Sequence, residues 1–287
     1  MISCKLCGGL GNQLFQIFTT IAYAIKYTKP FFFLNNEQLT NGSIVRHTYW
    51  NTFLTSIKTF LKDINEIHQI SFKFIYEKHF TYQELPNNFD KTHSNLLVGY
   101  FQSPKYFNNY KTTICNLLKI KSQQNTIKNK ININLNEIYT ISMHFRFGDY
   151  KKHPTVYPLL VYNYYNNALS YILNNPSLIN NKKDIVILYF CEDESLFEVE
   201  DIVNMIRQNY KLVKFKRADN TLEDWEQMLL MSLCNDNIIA NSTFSWWGAY
   251  LNSNQGHTVC YPEQWFMPEA NKDTSDLFLD DWIRIIF

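Results

Sequence analysis

Between residues 144 and 150 the chain reads His-Phe-Arg-Phe-Gly-Asp-Tyr. His144, Arg146 and Asp149 place three ionisable side chains within six positions, directly after Ile141-Ser142-Met143. A buried strand rarely carries that density of charge, and a surface loop rarely carries Phe145 and Phe147 together. The pattern marks a strand whose end opens into a site. An arginine there can place two N–H groups on two oxygens of one diphosphate. His144 can donate to a base or a phosphate. Asp149 can accept from a sugar hydroxyl, take a proton, or simply orient Arg146. A purely structural Arg–Asp pair is the plain alternative.

Two other stretches carry chemistry of the same kind. Gly8 to Gln13 reads GGLGNQ. A glycine turn opening a helix lets a ligand approach backbone N–H groups closely. It is not a dinucleotide fingerprint, because Leu14 stands where the third glycine would be, and no Gly-Lys-Ser/Thr follows to make a P-loop. A tight strand-to-helix turn without a ligand is its plain alternative. Ala240 to Gly248 reads ANSTFSWWG. There a strand ends, small hydroxyl residues follow and a helix begins. Asn241, Ser242 or Thr243 can cap that helix. The same N–H groups and hydroxyls can hold an anion. Asn241-Ser242-Thr243 also has the form of a glycosylation sequon, which a cytoplasmic chain leaves unmodified.

Composition narrows the classes. The net charge of +1 argues against a basic face for nucleic acid. No apolar run approaches the ~20 residues of a membrane span, and the first residues lack the pattern of a secretory leader. A soluble, cytoplasmic protein of bacterial or viral type is expected. Six cysteines are scattered along the chain. Cys4 and Cys7 form a lone CxxC with no second pair, and Ile2, Cys4 and Leu6 alternate as on a strand, so the cysteines are read as small hydrophobes. Asp-x-Asp, H-E-x-x-H and G-x-S-x-G are all absent. A diphosphate bound here would be neutralised by cationic side chains and backbone, with no metal.

These residues need a frame that positions them. Strand, helix and strand are expected at 2–6, 12–27 and 31–34, a βαβ opening. A further strand is expected at 97–101, before the loop Gln102-Ser103-Pro104. Residues 119–137 are polar and weakly patterned, which suggests a domain boundary. Beyond them, strands are expected at 139–145, 185–190, 237–240 and 259–261, with helices at 157–173, 222–234 and from 245. This α/β rhythm predicts two domains, 1–130 and 131–287, with a cleft between them. Ligands of such folds bind at the carboxyl ends of the strands.

The stretches GGLGNQLFQ (8–16), GYFQSPKYF (99–107), HFRFGDY (144–150), YFCED (189–193) and IIANSTFSWWGAYLN (238–252) resemble the family 11 glycosyltransferases, the bacterial-type α-1,2-fucosyltransferases. The resemblance implies a GT-B architecture of two Rossmann-like domains facing across a cleft, acceptor side first and donor side second. It implies inverting, metal-independent transfer of L-fucose from GDP-fucose to a glycan acceptor, commonly at O2 of a galactose, with no cofactor. Arg146 would grip the β-phosphate and His144 would face the guanosine. Ser242 and Thr243, with Asn241 and Phe244 beside them, would bind phosphate. Asn12 would lie near the reacting centre. Gly11 and Glu192 count among the donor-binding residues, and Asp149 is the first choice of base, ahead of Glu192 or Asp193.

Two positions depart from the family pattern. Phe147 stands where a second arginine is usual. Gln227 stands where an aspartate reads guanine, with Glu226 adjacent and able to substitute through a one-residue shift. A carboxylate accepts from both guanine N–H groups, whereas a glutamine amide offers one oxygen. These changes leave open a transferase using another nucleotide deoxysugar, or a catalytically weak nucleotide- or sugar-binding homologue. A Rossmann-type redox enzyme is disfavoured by the missing third glycine.

Overall fold

A computed structural model describes residues 1–41, 44–179 and 183–287. The chain forms two compact units, Met1–Lys121 with Asp273–Leu279, and Ser122–Lys272 with Asp280–Phe287. The main sheet of each is parallel, the α/β class expected above.

In the first unit, β1 (Ile2–Cys4), β2 (Ser71–Tyr76) and β3 (His93–Val98) pair in parallel in the order β1-β3-β2. Helix α1 (Leu10–Lys26) is buried over almost its whole length, including Leu14, Phe15, Ile17, Phe18 and Ile21. A helix that is apolar on nearly every side must be a core helix. It starts two residues before the expected position, because Gly8 makes the turn at φ +80° and Gly9 is already the N-cap. Its buried Gln16 ties the helix to both neighbouring loops, accepting from Cys7 N at 3.0 Å and donating to Gly99 O at 2.9 Å. Gln38–Asn41 and Ile44–His47 pair as an antiparallel hairpin.

The second unit holds six parallel strands. They are β4 (Tyr139–His144), β5 (Ile185–Phe190), β6 (Lys214–Arg217), β7 (Asp236–Ile238), β8 (Val259–Pro262) and β9 (Ile283–Ile285). Their order is β6-β5-β4-β7-β8-β9. The chain runs outward from β4 through β5 to β6, then returns to the other side of β4 as β7. The strand order therefore reverses between β4 and β7, the point at which doubly wound sheets open a crevice at the carboxyl ends. Ile141, Met143, Ile187 and Ile238 from the strands pack with Tyr164, Tyr165, Ala168 and Leu169 as a continuous core.

Several boundaries differ from expectation for physical reasons. The stretch 119–137 contains a helix, α2 (Ile120–Lys130). Its buried Gln124 donates to Ser232 Oγ at 2.8 Å and Leu251 O at 3.1 Å, so the units divide near 121 rather than 130. Asp273–Leu279 returns to the first unit, where Asp276 pairs with Lys105 and accepts from Tyr82 N at 2.9 Å. Helix α3 (Tyr162–Leu173) begins later than 157, because Pro158 disfavours helical backbone at the residue before it. Helix α4 (Leu196–Asn209) and strands β6 and β9 were not expected. The six cysteines are free thiols. Among the described residues, no helix is long and apolar enough to cross a membrane.

Helices α5 (Asp224–Met231) and α6 (Thr243–Tyr250) pack closely, with Trp246 and Trp247 fully buried. Gly248 makes the approach possible: a Cβ there would lie 2.8 Å from Met231 Cβ and 3.0 Å from its Sδ. Gly248→Ala should therefore destabilise the protein by about 1–3 kcal/mol through overpacking. Chemical unfolding checks this as a lowered midpoint; an unchanged midpoint would show that the two helices part freely.

Candidate functional site

The carboxyl ends of β4, β5 and β7 gather the ionisable residues of the quoted motifs. Arg146 lies two residues past β4, with its side chain 21% exposed. Its guanidinium is forked between two carboxylates. Nη1 donates to Glu192 Oε1, two residues past β5, and Nη2 donates to Asp149 Oδ1 at 2.5 Å. The same guanidinium lies 5.1 Å from the centre of the Tyr150 ring. Gly148 is needed for this arrangement. Its φ is +21°, and a Cβ there would overlap the Glu192 carboxylate.

His144 is the last residue of β4 and is 6% exposed. Burial, and then the charge of Arg146, push its imidazole down to about 3, so the ring is neutral at pH 7. It can donate or accept a hydrogen bond but brings no positive charge to a phosphate. Its Nδ1 has no hydrogen-bond partner, and its ring centre is 5.5 Å from that of Phe244. Two more buried polar atoms nearby in the fold lack partners, Glu192 Oε2 and Asn241 Oδ1. A buried polar atom left unpaired costs about 1–3 kcal/mol. Three of them on residues at or just past the ends of adjacent strands form a set that a polar ligand can satisfy.

The start of α6 resolves the choice of cap. Ser242 is the N-cap, its Oγ accepting from Phe244 N at 3.4 Å. Thr243 opens the helix. Asn241 instead bridges loops, its Nδ2 donating to Pro158 O at 3.0 Å and Trp265 O at 3.3 Å. The Asn241 carbonyl accepts from Tyr150 Oη at 2.9 Å. Tyr150 stacks on Tyr157 with ring centres 4.0 Å apart. Burial raises the Tyr150 hydroxyl well above its ordinary pKa, so it stays a donor. Neither Tyr150 nor Tyr157 is among the expected site residues, although Tyr150 closes the HFRFGDY stretch.

The remaining candidates are placed differently. Phe147 is 6% exposed and belongs to the hydrophobic core of the second unit. An arginine at this position would be buried among apolar side chains. Gln227 is half-buried on α5, with Nε2 donating to Leu222 O at 3.0 Å. Glu226, the neighbour that a one-residue shift would offer, has partners of its own. It is buried, accepts from Lys130 Nζ on both oxygens at 2.7 Å, and accepts from Glu223 N at 3.0 Å as part of a capping box. Gly11 and Asn12 lie in the first turn of α1, in the first unit, and Asn12 Oδ1 accepts from Gln102 Nε2 at 2.9 Å. Among the described residues, no three His, Cys, Asp or Glu side chains cluster as metal ligands would.

Escherichia coli O-antigen biosynthesis glycosyltransferase WbnK is 29% identical, over 99% of this chain and 100% of its own. Escherichia coli alpha-1,2-colitosyltransferase is 26% identical, over 99% of both chains. Among solved structures, a GDP-bound Arabidopsis thaliana FUT1 variant aligns with a TM-score of 0.46 at 10% identity, over 88% of this chain and 68% of its own. The fucosyltransferase NodZ from Bradyrhizobium aligns at 0.45 and 9% identity, over 89% and 96%. The model of glycosyl transferase family 11 matches residues 1–286, a span that takes in all five motifs, and the chain belongs to that family.

Proposed function

We propose that the protein transfers L-fucose from GDP-fucose to a sugar hydroxyl of a glycan, at O2 of galactose, with inversion and without a metal ion. One observation carries the reading. A guanidinium stands at the switch point of a parallel sheet, with three unpaired buried polar atoms on residues around it. Family membership supports glycosyl transfer, and the name of the colitosyltransferase relative supports an α-1,2 linkage.

Breaking the sugar–phosphate bond puts negative charge on the departing diphosphate. Arg146 and the N–H groups at the start of α6 stabilise that charge, with the hydroxyls of Ser242 and Thr243 beside them. His144 meets the nucleotide side with a neutral ring, taking a hydrogen bond at its unpaired Nδ1. Asp149 is the carboxylate nearest to Arg146 in the motif. Its contact with the guanidinium through Oδ1 supports an orienting role, and as base it would take the proton on Oδ2. A loose transition state relaxes the need for a strong base. Asn12, in the first turn of α1 in the first unit, is the residue assigned to the neighbourhood of the reacting centre.

A second reading is transfer of another nucleotide-linked deoxysugar by the same machinery. The name of the colitosyltransferase relative favours it, as does Gln227, whose amide is turned onto Leu222.

The test is turnover on a panel of GDP-, UDP- and dTDP-linked sugars with galactose-terminated acceptors. GDP-fucose should be the preferred donor, and Arg146→Ala should lose about 10²–10³-fold in kcat, roughly 2.7–4 kcal/mol of transition-state stabilisation. Preference for another nucleotide sugar selects the second reading. A loss below tenfold with the fold intact removes Arg146 from the clamp.

The neutral His144 has its own consequence. Its folded pKa of about 3 lies below the unfolded value of about 6.5, so between these values the unfolded chain binds more protons. Stability is full above the upper value and falls as pH drops towards the lower one. His144→Phe removes this linkage. The loss of stability between about pH 7 and pH 4.5 should then be smaller than in the parent, as read from urea midpoints. An equal loss in both proteins would show that His144 does not titrate in this way.

A further inference from the structure

The contact between Arg146 and Glu192 is poorly made for a purely structural ion pair. A carboxylate that only neutralises an arginine can set both oxygens on the guanidinium fork. Glu192 uses one. Its Oε1 accepts from Arg146 Nη1, while Oε2 is buried and has no partner. That second oxygen lies over the backbone of Gly148, in space that a Cβ there would need. The neighbouring acid, Asp193, pairs with Arg217 instead.

The unpaired oxygen is not a subsite for phosphate. Phosphate oxygens accept hydrogen bonds and bring no donor to Oε2. Two anions at contact distance also repel each other, most of all where water is partly excluded. A phosphate and the Glu192 carboxylate therefore compete for one donor, Arg146 Nη1. The structure leaves Glu192 somewhere to go. Its side chain is 37% exposed, so it can turn into water without crossing the core. Asp149 meanwhile keeps Nη2 at 2.5 Å, and the guanidinium stays oriented.

Competition of this kind raises the threshold for binding. The cluster holds one cation against two carboxylates. An anion that gains no more from Nη1 than a carboxylate does leaves Glu192 in place. A diphosphate has a second phosphate to set on further donors. The N–H groups at the start of α6 are such donors, and Tyr150 ties their loop to this one by donating to Asn241 O at 2.9 Å.

We infer that Glu192 is a built-in competitor for the diphosphate: its carboxylate occupies Arg146 Nη1 until a diphosphate displaces it, and so excludes weaker anions. The inference rests on the diphosphate role proposed above for Arg146. The experiment is calorimetry of the full chain with pyrophosphate, inorganic phosphate and GDP, at one pH and ionic strength. It compares the parent with Glu192→Gln, which keeps the shape and removes the charge, and with Glu192→Ala. Glu194→Gln, at an exposed acid of the same turn, is the control for charge alone. Both Glu192 variants should bind pyrophosphate and inorganic phosphate about tenfold more tightly, the scale of one hydrogen bond to a charged group. The Glu194 variant should match the parent. No gain, or a loss, in both Glu192 variants overturns the inference, as does an equal gain in the Glu194 variant. GDP separates the two claims. Its affinity should rise as that of pyrophosphate does. A gain for pyrophosphate with no GDP binding by any of the proteins leaves the competitor standing and sinks the donor assignment alone.

Discussion

One guanidinium shared by two carboxylates organises the second unit. Arg146 can make that contact only if three separate features agree. The parallel register that sets His144 opposite Phe190 brings residues 146 and 192 to the same end of the sheet. The glycine at 148 leaves room for the Glu192 carboxylate. The flanking Phe145 and Phe147, 1% and 6% exposed, bury themselves on either side and fix the backbone that carries the arginine. Phe145 packs on Tyr165 with ring centres 4.1 Å apart, and Tyr165 in turn donates to the His144 carbonyl at 3.1 Å. The mixed character of HFRFGDY is the pattern of a chain that anchors with every other side chain and works with those between.

The same interaction sets the electrostatics around it. His144 is two residues from a fixed cation and deeply buried, so both desolvation and the neighbouring charge favour the neutral ring. A site that already holds Arg146 therefore does not gain a second cation from the histidine. Nor does it gain one at 147, where the phenylalanine belongs to the core. The donors that could meet an anion are one arginine and the backbone N–H groups at the start of α6, a helix anchored by the buried Trp246 and Trp247.

Much of this frame is legible in the chain itself, and the parts that are not share a cause. Strand β5 is a continuous apolar run and its ends match expectation. Helix α4 has Val199, Val203 and Ile206 buried at helical spacing, but Phe197 and Met205 are 79% and 50% exposed, and these outward apolar residues blur the stripe. Strand β6, Lys-Phe-Lys-Arg, sits at the sheet edge and alternates charge with apolar side chain, so it lacks the signature of a buried parallel strand. Helix α2 is docked by a glutamine amide as well as by Ile127, and a single polar anchor leaves little trace in hydrophobic periodicity. Arg146 and Asp149 are neighbours in sequence, and their pairing could be read directly. The link to Glu192 depends on strand register, which no local stretch of sequence records.

The two departures from the family pattern have different physical standing. Gln227 keeps its amide on a backbone carbonyl and leaves its neighbour Glu226 committed to Lys130 and a helix cap. Phe147 is a packing residue, so an arginine there would have to bury its charge or pull the following turn outward. The cluster consequently holds one cation against two carboxylates before any ligand arrives. In the proposed reaction a diphosphate that meets Arg146 also meets these carboxylates, whose charge opposes the incoming phosphates. Glu192 is the one whose second oxygen is buried without a partner, and its departure relieves that cost as well. Asp149, three residues along the same chain segment, can keep its hold on the guanidinium while Glu192 exchanges its place for phosphate. On that proposal Arg146 stays oriented throughout, and donor binding releases a glutamate whose second oxygen has no partner.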